Sequence, residues 1–353
     1  FLSCVERMQY VLKSPISFNY RRREFIHYFH DSICAYKLDK DGIGDEIGDG
    51  EASPSSPFTC IASNLRPKRG VQCVTWCPFP TPLPVLAMGF SDGQVQIVAI
   101  KPGSYELLAY SDYNLNQRTC YCISWNKTSV ELLAVGFDHA KAVANPNGLA
   151  VWDLHEFQFF KNLHRQATCT TPRDGDEGGH QGIAENLEKP EYEMAENDTL
   201  TSLAWIPGST SQLVAGVATS CKLKKFDLKE NGLVAGQMKC NGMVFGSTKC
   251  IAGFTFSPFH TAILACHATT FDPSGTVELW DVPNSQKLVQ VVLGTRPVVT
   301  LQWSPTDAGL LASMSKDEPF IRLWSSTIPQ SAELQTALTE EGYESGCETP
   351  STD

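Results

Sequence analysis

Long hydrophobic runs are missing from this 353-residue sequence: none approaches the roughly 18 residues of a membrane-spanning helix. No secretory signal is readable, and the first residue is Phe, which leaves the natural start open. Thirteen cysteines occur, yet zinc-type and disulfide-type spacings do not. There is no C-x-x-C; Cys73 and Cys77 stand four apart, Cys120 and Cys122 two apart. Most lie in apolar runs, where a free thiol packs as a small apolar group, and their odd number points to a reducing compartment. The phosphate loop G-x-x-x-x-G-K and the nucleophile elbow G-x-S-x-G are absent. His155-Glu156 is not followed by the second His of a zincin helix. The stretch “DKDGIGDEIGDGE” at 39–51 resembles a calcium loop but places Ile43 and Gly50 where ligands are needed. His27 and His30, three apart, would face opposite sides of a strand and could not share a metal. No catalytic, cofactor-binding or metal-ligating residue is predicted.

Bases are the minority, 28 against 39 acids, for a formal net charge of −11. The deficit is local: residues 39–51 and 155–197 each carry −5 and residues 331–353 carry −6, so the remainder is +5. Nucleic acid is therefore disfavoured as a partner. The acidic stretches read as solvated segments, with partner docking or regulatory phosphorylation as the sharper alternative. The basic clusters Arg21-Arg22-Arg23 and Arg66-Pro67-Lys68-Arg69 read as solvated strand ends that could also meet an acidic partner. Asn126-Lys127-Thr128 and Asn197-Asp198-Thr199 read as chance matches to a glycosylation triplet.

What is present is a recurring order of short runs with period-two alternation. “GLAVWDL” (148–154), “TVELWDV” (276–282) and “FIRLW” (320–324) each follow an apolar run, “LLAVGF”, “AILACHA” and “GLLASMS”, and each of these follows another, “CYCISWN”, “GFTFSP” and “VVTLQWSP”. The same order appears over 71–100 and 200–228, and in degenerate form over 14–38. The rings that end the first run, Trp76, Trp125, Trp205, Phe256 and Trp303, are spaced 49, 80, 51 and 47 residues apart. A period of roughly 40–50 residues holds four strands, the size of a propeller blade, and the 80 is one period plus an insertion. “YELLAY” (105–110) and “KLVQVVL” (287–293) are candidate fourth strands.

Inner strands of such blades are covered on both faces and must be apolar on both. Large rings fill the wedge between blades, and Ser257-Pro258 and Ser304-Pro305 turn the chain. Asp92-Gly93 forms a tight hairpin, and Asp138 and Asp317 occupy comparable turn positions.

This order resembles the WD-repeat family over roughly 14–326. Trp152-Asp153 and Trp280-Asp281 match the family dipeptide; Phe226-Asp227, Trp324-Ser325 and Val98-Ala99 drift from it. The family's Gly-His pair is missing from the copies, so its side-chain hydrogen-bond network is expected to be incomplete. The resemblance implies an all-β fold, a WD-repeat β-propeller with six recognisable blades. Residues 1–13 form an unassigned leader that could supply a strand. The acidic loop 39–57 and the acidic insertion 155–197 interrupt the repeats, and a polar acidic tail follows over 327–353, read as disordered.

A closer resemblance is to the amino-terminal propeller of the Mio (missing oocyte) family. It rests on “VQCVTWCP…LAMGFSDGQVQIV”, on Gly136-Phe137-Asp138-His139-Ala140-Lys141 with an extended loop before the Trp-Asp strand, and on Gly309-Leu310-Leu311-Ala312 followed by Lys316-Asp317 and Ile321-Arg322-Leu323. It implies a non-catalytic scaffold of the GATOR complex (SEA complex in fungi) that relays amino-acid sufficiency to TOR complex 1 at the lysosome or vacuole. The implied partners are other WD-repeat subunits and small coat- and nucleoporin-type propellers, without cofactors. The family propeller has seven blades and continues into a helical solenoid and a zinc domain, so the resemblance reads this chain as a fragment. The alternatives are another WD-repeat adaptor, such as a ubiquitin-ligase substrate receptor or a vesicle-coat subunit, and a propeller enzyme. The last needs converging carboxylates or a metal that no cluster promises.

Overall fold

A computed structural model of the chain describes residues 16–19, 24–29, 32–38, 58–65, 70–79, 81, 83–101, 104–111, 118–129, 131–139, 147–161, 184–218, 222–229, 243–246, 251–268, 275–292, 296–303, 309–315 and 321–325. They fall in two compact units, Val11–Met243 and a second that carries the strands from Ile251 to Ser325. Apart from one helical turn at 158–161, the regular structure among the described residues is strand.

In the first unit β1 (Ile16–Asn19), β2 (Glu24–Phe29), β3 (Ser32–Leu38) and β4 (Phe58–Leu65) form one antiparallel sheet in chain order. The next contains β5 (Val71–Trp76), β6 (Val85–Phe90), β7 (Val95–Lys101) and β8 (Ser104–Ser111). The third holds β9 (Cys120–Trp125), β10 (Leu132–Phe137) and β11 (Asn147–Asp153). The acidic insertion completes both of these. Its β12 (Glu185–Asn186) runs parallel along β8, and its β13 (Tyr192–Ala195) pairs with β11. The fourth sheet is the meander β14 (Leu200–Trp205), β15 (Gln212–Val217) and β16 (Lys222–Asp227); β17 (Met243–Gly246) spans the division between the units. In the second unit β18 (Ile251–Phe256), β19 (Ile263–Ala268), β20 (Thr276–Asp281) and β21 (Gln286–Val292) form one sheet, and β22 (Val298–Trp303), β23 (Leu310–Ser315) and β24 (Ile321–Ser325) another. The six sheets coincide with the six repeat copies.

The register shows why the copies look alike. Each ring that ends a first strand stands directly opposite a leucine of the second strand: Trp76 opposite Leu86, Trp125 opposite Leu133, Trp205 opposite Leu213, Phe256 opposite Leu264, Trp303 opposite Leu311. That leucine in turn stands opposite Val98, Trp152, Phe226, Trp280 or Trp324 on the third strand. Directly opposed residues share a face, so every row puts a ring, a leucine and a third large side chain on one side of its sheet. All seven tryptophans of the sequence lie in these rows. Four of the five first-strand rings are buried, and Phe256 is half-buried.

Where both neighbours are described, the row meets alanines and aliphatic side chains of the preceding sheet. Trp125, Leu133 and Trp152 pack with Ala87, Ala99 and Ala109, while Trp205, Leu213 and Phe226 pack with Ala134, Leu149 and Val151. In the second unit Trp303 and Leu311 pack with Ile263, Ala265 and Val277. A second strand such as Val85–Phe90 is buried throughout because one face carries the row and the other receives the next sheet's. The ladder slips near the start of the first strand in five sheets, at Val71/Cys73, Cys120/Cys122, Leu200/Ser202, Ile251/Gly253 and Val298/Thr300. Such a bulge bends and twists the strand.

Adjacent sheets approach so closely that a side chain is excluded at two second-strand positions. A Cβ at Gly89 would lie 2.7 Å from both Cys73 Sγ and Cys120 Cβ, and one at Gly136 would lie 2.6 Å from Cys122 Sγ and 3.0 Å from Leu200 Cβ. Gly136→Ala is therefore expected to overpack the contact and cost about 1–3 kcal/mol in urea unfolding. Gly70→Ala, whose added carbon would find its nearest neighbour at 3.7 Å, is expected to stay within about 0.5 kcal/mol of the parent.

Candidate functional site

One set of polar contacts in the first unit lies where first strands begin and second strands end. Ser91, Asp138 and Ala218, just past β6, β10 and β15, each donate a backbone N–H to the residue before the first strand of their sheet: Gly70, Thr119 and Thr199. Neighbouring sheets are then joined side by side. Thr119 Oγ1 donates to Ser91 O at 3.0 Å, and His139 N donates to Thr199 Oγ1 at 3.0 Å.

Arg118 is the centre of this belt. It is 1 % exposed, a rare environment for a guanidinium. Its Nε donates to Asp138 O at 2.6 Å, Nη1 to Asn147 O at 2.8 Å and Nη2 to Glu196 O at 3.0 Å. Desolvation pulls its pKa below the ordinary guanidinium value, against the opposing pull of the Asp138 and Glu196 carboxylates. Those carboxylates have other partners: Asp138 Oδ1 accepts from Thr119 N, Glu196 Oε1 from Asp198 N, and Glu196 Oε2 pairs with Lys224 Nζ of β16. Nothing in the sequence around Arg118 distinguished it from a solvated strand-end cation. Gly148 leaves room for the arrangement: a Cβ there would collide first with Glu196 O and would lie 3.0 Å from Nη2.

The predicted turn-formers divide. Asp92 Oδ1 accepts from Gln94 N at 3.2 Å beside Gly93, whose φ of 87° needs glycine. Asp138 instead caps the start of β9, and Asp317 lies outside the described residues. The dipeptide aspartates cap the turns that follow the third strand: Asp153 Oδ1 accepts from His155 N, Asp227 Oδ1 from Lys229 N, and Asp281 Oδ1 from Asn284 N. The indoles reach varied partners. Trp152 Nε1 donates to Glu188 O, Trp280 Nε1 to Glu278 Oε2 and Trp324 Nε1 to Ser313 Oγ. Two first-strand rings repeat one contact between sheets: Trp205 Nε1 donates to Ser124 O at 3.1 Å and Trp303 Nε1 to Thr255 O at 3.3 Å, each the residue before the preceding sheet's own ring. Trp125 Nε1 has no partner among the described residues; its ring lies 6.0 Å from that of Phe160.

Chemistry at these sheets is muted. Burial pushes the Cys73, Cys120, Cys122 and Cys266 thiols up, and Cys77 up to about 11, so they remain protonated near neutrality. Among the described residues no group of three or more His, Cys, Asp or Glu could hold a metal ion. Asn126 is fully buried, with Oδ1 accepting from Thr128 N and Ser129 N and Nδ2 donating to Ser209 O, so its amide is closed to glycosylation. The calcium-like stretch 39–51 and His30 lie outside the described residues.

Residues 55–342 match the family described as MIOS, WD40 repeat. The chain belongs to the MIOS WD40-repeat family. Similar members include the GATOR2 complex protein MIOS of Dictyostelium discoideum, 24% identical over 73% of this chain, and that of Danio rerio, 26% identical over 88%. GATOR2 complex protein MIOS-A of Xenopus laevis is 27% identical over 72%. The chain spans only 24%, 34% and 27% of these relatives' own lengths. A chain of the solved structure titled “Crystal Structure of Mitotic Checkpoint Complex” superposes with a TM-score of 0.59 at 14% identity, covering 90% of this chain and 76% of that one; the likeness is one of fold alone. With six such sheets in this family, the fold is an all-β WD-repeat propeller. No helix among the described residues is long and apolar enough to cross a membrane.

Glu193 of β13 sits inside the insertion's contribution to the third sheet. Burial raises its carboxyl above the ordinary value, Oε1 has no partner among the described residues, and Lys189, itself 69% exposed, stands 3.7 Å from Oε2. A carboxyl raised by folding holds its proton more tightly in the native state, so stability falls as pH rises from the unfolded to the folded pKa. Glu193→Gln is therefore expected to raise the thermal midpoint at pH 7.5, with the gain vanishing below about pH 4, where both states are protonated.

Proposed function

We propose that this chain is a non-catalytic docking platform within the GATOR2 complex (SEA complex in fungi), through which amino-acid sufficiency is relayed to TOR complex 1. The observation that carries this reading is the family match over 55–342, together with relatives whose names place them in the GATOR2 complex. The architecture suits the role. Sheets locked by interleaved rings and leucines lose little conformational freedom on binding, so less ordering cost opposes docking. Among the described residues, the buried thiols of Cys73, Cys77, Cys120, Cys122 and Cys266 stay protonated and are poor nucleophiles. In this reading the repeat body spans 14–326, interrupted by the acidic loop 39–57 and the acidic insertion 155–197, and the acidic tail 327–353 follows it. Its partners are other WD-repeat subunits, including small coat- and nucleoporin-type propellers, and the complex brings it to the lysosomal or vacuolar surface.

Affinity purification of the full-length protein from its own cells, with mass-spectrometric identification of what accompanies it, tests the proposal. Other WD-repeat subunits of one stable complex are expected. Recovery of ubiquitin-ligase or vesicle-coat components in their place would overturn it.

A further inference from the structure

Two excursions leave the third sheet. One is the stretch between β10 and β11, whose stems are Asp138 and Asn147; the other is the acidic insertion, which returns as β13 and ends at Glu196. The stems have run out of ladder: β10 and β11 are last paired at Gly136 with Leu149, and β11 and β13 at Asn147 with Ala195. Beyond those pairs, the carbonyls of Asp138, Asn147 and Glu196 all accept from one guanidinium. We propose that Arg118 is a shared anchor that couples the two excursions, so that the neck of the 138–147 stretch and the returning strand β13 open and close together.

Three features support the coupling. The fork reaches three segments with three different nitrogens, so no carbonyl can leave without stranding a donor of the buried cation. With Arg118 1 % exposed, water is not at hand to replace a lost contact, which makes partial opening costly and joint opening the cheaper path. Gly148, between two of the gripped strand ends, keeps the approach clear, since a side-chain carbon there would collide first with Glu196 O, one of the gripped carbonyls, and would also lie 3.0 Å from Nη2. The Glu196 carboxylate makes no hydrogen bond to the fork; it pairs with Lys224 and acts on the guanidinium only through its charge.

Hydrogen exchange followed by mass spectrometry on the full chain tests this. In Arg118→Met, amide protection over 147–151 and over 192–195 is expected to fall together, by roughly tenfold or more, while 71–76 and 95–101 keep the parent's protection. Glu196→Gln, which keeps the gripped carbonyl, is expected to leave both segments within about twofold of the parent. Loosening of one segment alone, or of neither, would overturn the proposal, as would Glu196→Gln loosening both as much as Arg118→Met. If Arg118→Met does not fold, Arg118→Lys retains the charge without the fork. It is expected to loosen both segments and spare β5 to β7; loosening spread evenly over all of them would count equally against a local anchor.

Discussion

The wedge contact between sheets governs this fold. A ring, a leucine and a second large side chain stand in one row across three strands and pack against alanines and aliphatic side chains of the sheet before. Truncating such a ring to alanine costs roughly 3–5 kcal/mol in well-packed interiors. The contact also demands emptiness on the other side. Gly89 and Gly136 lie where the next sheet begins, at Cys120 and Leu200, and neither site has room for a methyl group. Large and small side chains are thus segregated between the two faces of one strand, although both faces are apolar.

Much of this was legible in the sequence because the rows are written with rare residues. The gaps between Trp76, Trp125, Trp205, Phe256 and Trp303 located five sheets, and alternation fixed which neighbours share a face. Val98 shows how far the pattern reaches: it lacks the ring of the other copies, yet it opposes Leu86 in the same rank. Other parts left no local mark. β13 is four residues, Tyr-Glu-Met-Ala, inside a stretch whose charge reads as solvated; it is a strand because β11 offers an open ladder, not because of its own pattern. β12 is two residues long and exists only as an addition to β8. “FTCIASNL” mixes small, polar and apolar residues without clear alternation, so β4 was not anticipated. Arg118 was invisible for a different reason: its role is made by carbonyls that come together only after three strands have paired.

The polar belt and the greasy rows have complementary duties. The rows provide cohesion but little directional information, since aliphatic contacts tolerate sliding. The belt supplies direction through contacts that fit one register, such as Thr119 to Ser91, His139 to Thr199, and the three carbonyls on Arg118. The family's Gly-His network is not what organises this end of the third sheet. A single buried cation does so, with Glu196 and Lys224 extending the connection to the fourth. The same end carries Asp138 and His139, part of the stretch on which the family resemblance most depends.

A double-mutant cycle between Trp205 and Ala134 addresses the wedge contact most directly, since both belong to the packing between the third and fourth sheets. Trp205→Leu opens space and Ala134→Leu fills it; each alone should destabilise, and the pair should recover part of the loss, with a coupling energy of about 1 kcal/mol or more in urea unfolding. Strict additivity of the two changes would contradict the account, because it would mean that the ring of one sheet and the small residue of the next do not share the space on which the whole arrangement is built.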